Sequence, residues 1–114
     1  MAYLQEITTS EEWKETLKVS QEKEVLLVKH STTCPISAAA WDEVQKVIEK
    51  NTGENTVFAY VKVIESRPVS QQIAKDTGVK HESPQALLMK DRRVTWDASH
   101  GDVTEEALDA VLHH

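Results

Sequence analysis

The chain has one cysteine, three glycines and three prolines in 114 residues, so it has little with which to staple or sharply turn itself. A lone cysteine excludes an internal disulfide, and the fold must therefore rest on its core. Aromatic residues make up only 5% of the chain. No apolar run approaches the roughly 20 residues needed to cross a bilayer, and no charged-then-apolar leader is evident. Lys and Arg number 13 against 19 Asp and Glu, giving a net charge of −6 with the signs interspersed. Such a body lacks the basic face that displaces counterions from phosphate backbones, which argues against nucleic-acid binding. Internal repeats and low-complexity segments are absent too. The expectation is a protein of the reducing cytoplasm, with neither a membrane nor nucleic acid as partner.

What is present suits a single domain over 1–112, with His113 and His114 set aside as a possible tag remnant. A chain of this length buries roughly two-thirds of its unfolded surface. The stretch that organises the rest runs from Glu24 to Ser37. Val25 to Val28 is a continuous apolar run, which reads as a strand covered on both faces. Ser31, Thr32 and Thr33 break it. Ile36, Ala40, Val44, Val47 and Ile48 then fall at helical spacing. Cys34 stands at or just before that helix start, and Pro35 suits a first turn. Unpaired N–H groups and the positive end of the helix dipole favour a thiolate there. Free cysteine is often core filler, but Cys34 lies off the apolar stripe, in a polar turn.

The remaining elements follow from local signals. Tyr3 to Ile7 reads as a first strand, and Thr9 with Glu12 as the capping box of a helix carrying Trp13 and Leu17 inward. Asn51-Thr52-Gly53 is expected to end the Cys34 helix. Thr56 to Val63 reads as a second buried strand, parallel to the first because a helix separates them. Ser66-Arg67-Pro68 opens a third helix with Val69 and Ile73 inward and Gly78 as its stop. Gln85 to Lys90 and Val94 to Ala98 flank a turn at Asp91-Arg92-Arg93 and read as a hairpin. That turn lacks the Gly or Asn that tight hairpins favour. Thr104 to Leu112 is a last helix, capped by Asp102 or Thr104. Trp13, Trp41 and Trp96 read as packing residues.

The predicted order is βαβαβαββα, an α/β fold whose right-handed crossovers place helices on both faces of a central mixed sheet. Parallel strands at Val25 and Val57 bring Cys34 and the turn from Ile64 to Pro68 to one pole. An antiparallel hairpin brings His81 to Pro84 and then Ser99 to Asp102 to the same pole. Open α/β sheets place ligands at the carboxyl ends of their strands.

These residues resemble a known family. The strand-turn-Cys-helix unit, Ser83-Pro84 before a hairpin and the element order are similar to the thioredoxin fold. More narrowly, Thr33-Cys-Pro-Ile-Ser37, Glu65-Ser-Arg-Pro-Val-Ser70, Val79-Lys-His-Glu-Ser-Pro-Gln85 and Ser99-His100 resemble the YtxJ-type monothiol bacilliredoxins. The resemblance spans essentially the whole domain. It implies a thiol-disulfide oxidoreductase whose Cys34 removes bacillithiol from client proteins carrying it as a mixed disulfide. It also implies bacillithiol, a low-molecular-weight thiol, as co-substrate, and a cis Ser83-Pro84 peptide facing the sulfur. Ser37 stands where a dithiol enzyme would hold its resolving cysteine, so the second thiol must come from solution.

Around Cys34 the supporting residues are Thr33, Pro35, Ser37, Ser83 and Pro84. Thr33 and Ser37 are expected either to donate to the thiolate or to cap the helix. Arg67, His81, Ser99, His100 and Asp102 are candidates for binding the thiol ligand. Arg67 would pair with its carboxylates, and the start of the last helix would offer N–H donors. No tightly bound cofactor is expected, and no metal, since the ligand spacings of metal sites are absent. Two alternatives remain at this stage. One is an iron–sulfur cluster held between two subunits, as in some monothiol glutaredoxins, and the other is a non-catalytic redox sensor or adaptor.

Overall fold

The computed structural model describes residues 4–50 and 56–112, so the expected helix stop at 51–53, Tyr3 and the C-terminal His pair lie outside the described residues. Its elements are β1 (Leu4–Glu6), α1 (Ser10–Val19), β2 (Glu24–His30), α2 (Pro35–Lys50), β3 (Thr56–Lys62), α3 (Arg67–Thr77), β4 (Gln85–Lys90), β5 (Arg93–Ser99) and α4 (Glu105–Val111), with a 3-10 turn at His100–Asp102 before α4. The five strands form one sheet in the order β1-β3-β2-β4-β5. β1 and β2 run parallel to β3, while β4 is antiparallel to both β2 and β5. The α/β order and mixed sheet are those expected from the sequence.

Strand alternation divides the core into two layers. Leu26, Val28, Phe58, Ala86 and Leu88 face α2 and α4, packing on Ala40, Val44, Val47, Leu108 and Leu112. Val25, Leu27, Ala59, Val61, Leu87 and Met89 face the other way, onto Trp13, Val69 and Ile73 of α1 and α3. Both central strands are thus covered on both faces, which is why they carry no polar alternation. Ile36 departs from the predicted inward stripe. It occupies the first turn of α2, past the carboxyl end of β2, and is 57% exposed. No described helix is long and apolar enough to cross a membrane.

The helix ends obey the local rules. Thr9 and Glu12 form the full capping box of α1, Thr104 caps α4 by accepting from the Ala107 N–H, and Gly78 closes α3 at φ 73°. The hairpin turn is tighter than the sequence suggests. Lys90 pairs with Arg93, leaving Asp91 and Arg92 as a two-residue turn with φ 53° and 65°. These values cost energy in a residue with a Cβ. The compensation comes from Ser20, whose carbonyl accepts from the Asp91 N–H at 2.7 Å and whose Oγ accepts from the Arg92 N–H at 2.9 Å.

Candidate functional site

β2 ends at His30, and the polar turn after it delivers Cys34 to the first turn of the 16-residue helix α2. The Cys34 carbonyl accepts from the Ala38 N–H at 3.0 Å, so Cys34 is the residue from which the helix begins, with Pro35 just inside it. Its side chain is partly exposed. The exposed Ile36 stands two residues on.

Ser37 does neither of the two things expected of it. It is fully buried, its Oγ accepts from the Ser31 N–H at 2.9 Å, and the same oxygen lies 3.0 Å from His30 Nδ1. The hydroxyl thus bridges the Ser31 amide and the His30 ring. Burial holds the His30 imidazole below its usual range, and Lys62 adds to that effect while Glu65 opposes it. The ring stacks on Trp41 with centroids 4.9 Å apart. Ser37 therefore anchors the turn that carries Cys34 to the end of β2. Thr33 is exposed, with its hydroxyl 3.4 Å from that of Ser31.

Two further segments reach the same end of the sheet. β4 pairs with β2 so that Gln85 opposes Lys29, which carries Pro84 to the level of His30. The Ser83-Pro84 peptide is cis. The Pro84 carbonyl accepts from the His100 N–H at 2.8 Å, tying the loop before β4 to the 3-10 turn. On the other side, the Val63 N–H donates to the His30 carbonyl at 2.9 Å, and Thr32 Oγ1 donates to Glu65 at 3.3 Å.

The proposed ligand residues separate into two groups. Arg67 and His81 line one cleft, together with Ser70. His100 instead borders an apolar groove beside Pro35 and Ile36, and its Nε2 lies 3.3 Å from the Glu82 carboxylate. Ser99 accepts from the Gln85 amide at 3.4 Å, and Asp102 is exposed. At the start of α4 some of the expected donors are already engaged and the surroundings are acidic. Thr104 takes the Ala107 N–H, Glu43 takes the Glu105 N–H at 3.2 Å, and Glu105 and Glu106 make the first turn acidic.

Sequence reasoning missed Lys29. It is fully buried, with its Nζ 3.1 Å from His81 Nδ1, and burial lowers its ammonium to about 8. Lys29 sits on the face of β2 opposite His30, a consequence of the period-2 alternation once the strand is known to run through His30.

A cysteine at a helix start after a parallel strand, with a cis-proline loop at the same end of the antiparallel neighbour, defines a thioredoxin-fold thiol oxidoreductase. Solved structures agree. A protein described by its thioredoxin fold and candidate oxidoreductase activity matches at 33% identity and TM-score 0.82, covering 94% of this chain and 91% of its own. Thioredoxins of Malassezia sympodialis (16% identity, TM-score 0.77, 96% and 88% coverage) and Fasciola hepatica (12%, 0.75, 93% of each) share the fold. The family model for monothiol bacilliredoxin BrxC matches residues 5–108, and the chain belongs to that family.

Proposed function

We propose that this oxidoreductase removes bacillithiol from mixed disulfides on client proteins, with Cys34 as the attacking sulfur. The Cys34 thiolate attacks the bacillithiol sulfur of the mixed disulfide. The client leaves as a thiolate and takes a proton from solvent, while Cys34 and bacillithiol share the new disulfide. A second bacillithiol thiolate then attacks the bacillithiol sulfur of that adduct, releasing the symmetric disulfide and regenerating Cys34. Bacillithiol is the reductant, and the two electrons leave in its disulfide.

The observation that carries this reading is the pairing of Cys34 with Ser37. Cys34 is partly exposed at the start of a long helix, and one turn further on stands a buried hydroxyl committed to Ser31 and His30. A hydroxyl cannot resolve a mixed disulfide, so the second thiol comes from solution. The test is intact-mass analysis after mixing with a bacillithiolated client. Cys34 is expected to gain the adduct as the client loses it, and excess bacillithiol should then sustain many turnovers. A Cys34→Ser variant that strips the client as fast as the unaltered protein would refute the reading, and a single turnover would indicate a sensor.

A further inference from the structure

A second cleft opens at the same end of the sheet, on the face opposite α2. It lies between the first turns of α3 and the loop before β4, has a volume of about 130 Å³, and is lined by Val63, Ile64, Arg67, Ser70, Gln71 and His81. That volume suits a small ionised group rather than a whole ligand, since one water takes about 30 Å³.

Three observations bear on the group it would take. Ser70 is 1% exposed and lines the cleft, yet its hydroxyl has no hydrogen-bond partner among the described residues. Buried hydroxyls without a partner are uncommon and costly, so a polar partner is missing here, and this hydroxyl is free to donate to an anion. Behind His81 lies the buried Lys29, for which no carboxylate comes within ion-pairing distance among the described residues. An ammonium only donates, so His81 accepts at Nδ1 and presents its Nε2–H as a donor. Arg67 at the mouth likewise has no acidic partner among the described residues. The nearby acids are engaged elsewhere, Glu82 with His100 and Glu65 with Thr32. Donors without acceptors have thus gathered in a chain whose overall charge is −6.

We propose that this cleft is a carboxylate-binding subsite for the low-molecular-weight thiol, with Arg67 as the fork, the Ser70 hydroxyl and His81 Nε2–H as further donors, and Lys29 as the charge behind them. The proposal rests on the reaction proposed above and deepens it. Arg is suited to the role because its planar fork meets both carboxylate oxygens at once.

The experiment measures how the rate of bacillithiol attack on the preformed Cys34 adduct depends on thiol concentration. It compares bacillithiol with the same thiol carrying esterified carboxylates. In Arg67→Leu the half-saturating bacillithiol concentration should rise about tenfold or more, and in Ser70→Ala about threefold. The ester should behave alike with the unaltered protein and with Arg67→Leu. Equal half-saturation for the unaltered protein and Arg67→Leu, or an ester as effective as the acid, overturns the subsite. A thiol-free arm titrates succinate while following the His81 ring signals by NMR. A saturable shift lost in Arg67→Leu supports the cleft even if Cys34 never accepts bacillithiol, and the absence of any saturable shift overturns it. An Arg67→Leu defect seen only with clients bearing an acidic residue beside the modified cysteine assigns the cleft to the client and overturns the thiol assignment.

Discussion

Lys29→Met should stabilise the fold at neutral pH. Burial draws the Lys29 ammonium from its usual 10.5 down to about 8. At about 1.4 kcal/mol per pH unit, holding that charge costs the folded state about 3 kcal/mol. Methionine fills similar space without the charge. It also leaves His81 Nδ1 without its donor, but His81 is exposed, so water replaces the bond at a cost of about 1 kcal/mol. The net gain is about 2 kcal/mol at pH 7. Its pH dependence is the sharper signature. The unfolded lysine keeps its proton up to about 10.5 while the folded one releases it near 8, so in that window the unfolded state binds more protons and stability rises with pH. Below pH 8 the penalty is present in full. Urea unfolding followed by the fluorescence of the buried Trp13, at pH 7, 9 and 10, should show the variant ahead at pH 7 and the gap closing as pH rises. Groups common to both proteins and remote from Lys29 cancel in that difference, and His81, which burial and Lys29 hold down, is already neutral over this range. A variant no more stable than the parent at pH 7, or a gap independent of pH, refutes the reasoning.

Ser37→Ala removes the acceptor of the buried Ser31 N–H and the partner of His30. It should cost about 2 kcal/mol in urea unfolding. Arg92→Gly relieves the positive φ of the hairpin turn and leaves the backbone N–H to Ser20 in place. A gain of about 1 kcal/mol is expected, read as a rise in melting temperature of about 5 °C. His30 and His81 are both held below their usual range, chiefly by burial. On acidification the unfolded histidines therefore take up protons first, and stability should fall as pH drops below about 6.5. In His30→Gln the loss between pH 7 and 5 should be smaller than in the parent, as measured by urea midpoints at each pH.

The layers of the fold were legible because burial on both faces leaves a continuous apolar run, as at Val25 to Val28 and again in β3. Caps were legible because Thr9 with Glu12 and Gly78 act through their immediate neighbours. The hairpin turn was harder to read. Asp91 and Arg92 adopt positive φ because Ser20, some 70 positions earlier in the chain, holds their amides. Nothing local to the turn announces that support. Ser37 was misread for a similar reason. At the start of a helix a serine looks like a cap or a donor to its neighbour, but the bend of the chain points it back at the end of β2. Lys29 was invisible as a buried group because a lysine after an apolar run reads as the strand's solvated end, whereas pairing with Gln85 and Val61 carries the strand past it.

The two polar residues that close β2 tie the two halves of the proposed site together. On one face His30, held by Ser37 and stacked on Trp41, forms the footing of the turn that carries Cys34. On the other face Lys29 reaches His81 and places a charge behind the cleft. The residues are neighbours, so their separation is fixed by one step of a strand, and strand alternation puts them on opposite sides of the sheet. A register slip of one residue would exchange them, directing the ammonium toward the sulfur's turn and the imidazole toward the cleft, and it would move the flanking valines and leucines into the opposite layer. The strand register that seats these side chains in their layers therefore also fixes which face receives the charge. A lysine that costs the fold about 3 kcal/mol then has a counterpart gain only where an anion enters. This couples the two Lys29→Met measurements: a protein that gains stability at pH 7 should also need more bacillithiol to reach half-saturation, whereas a gain in stability with unchanged half-saturation would separate the buried charge from the ligand.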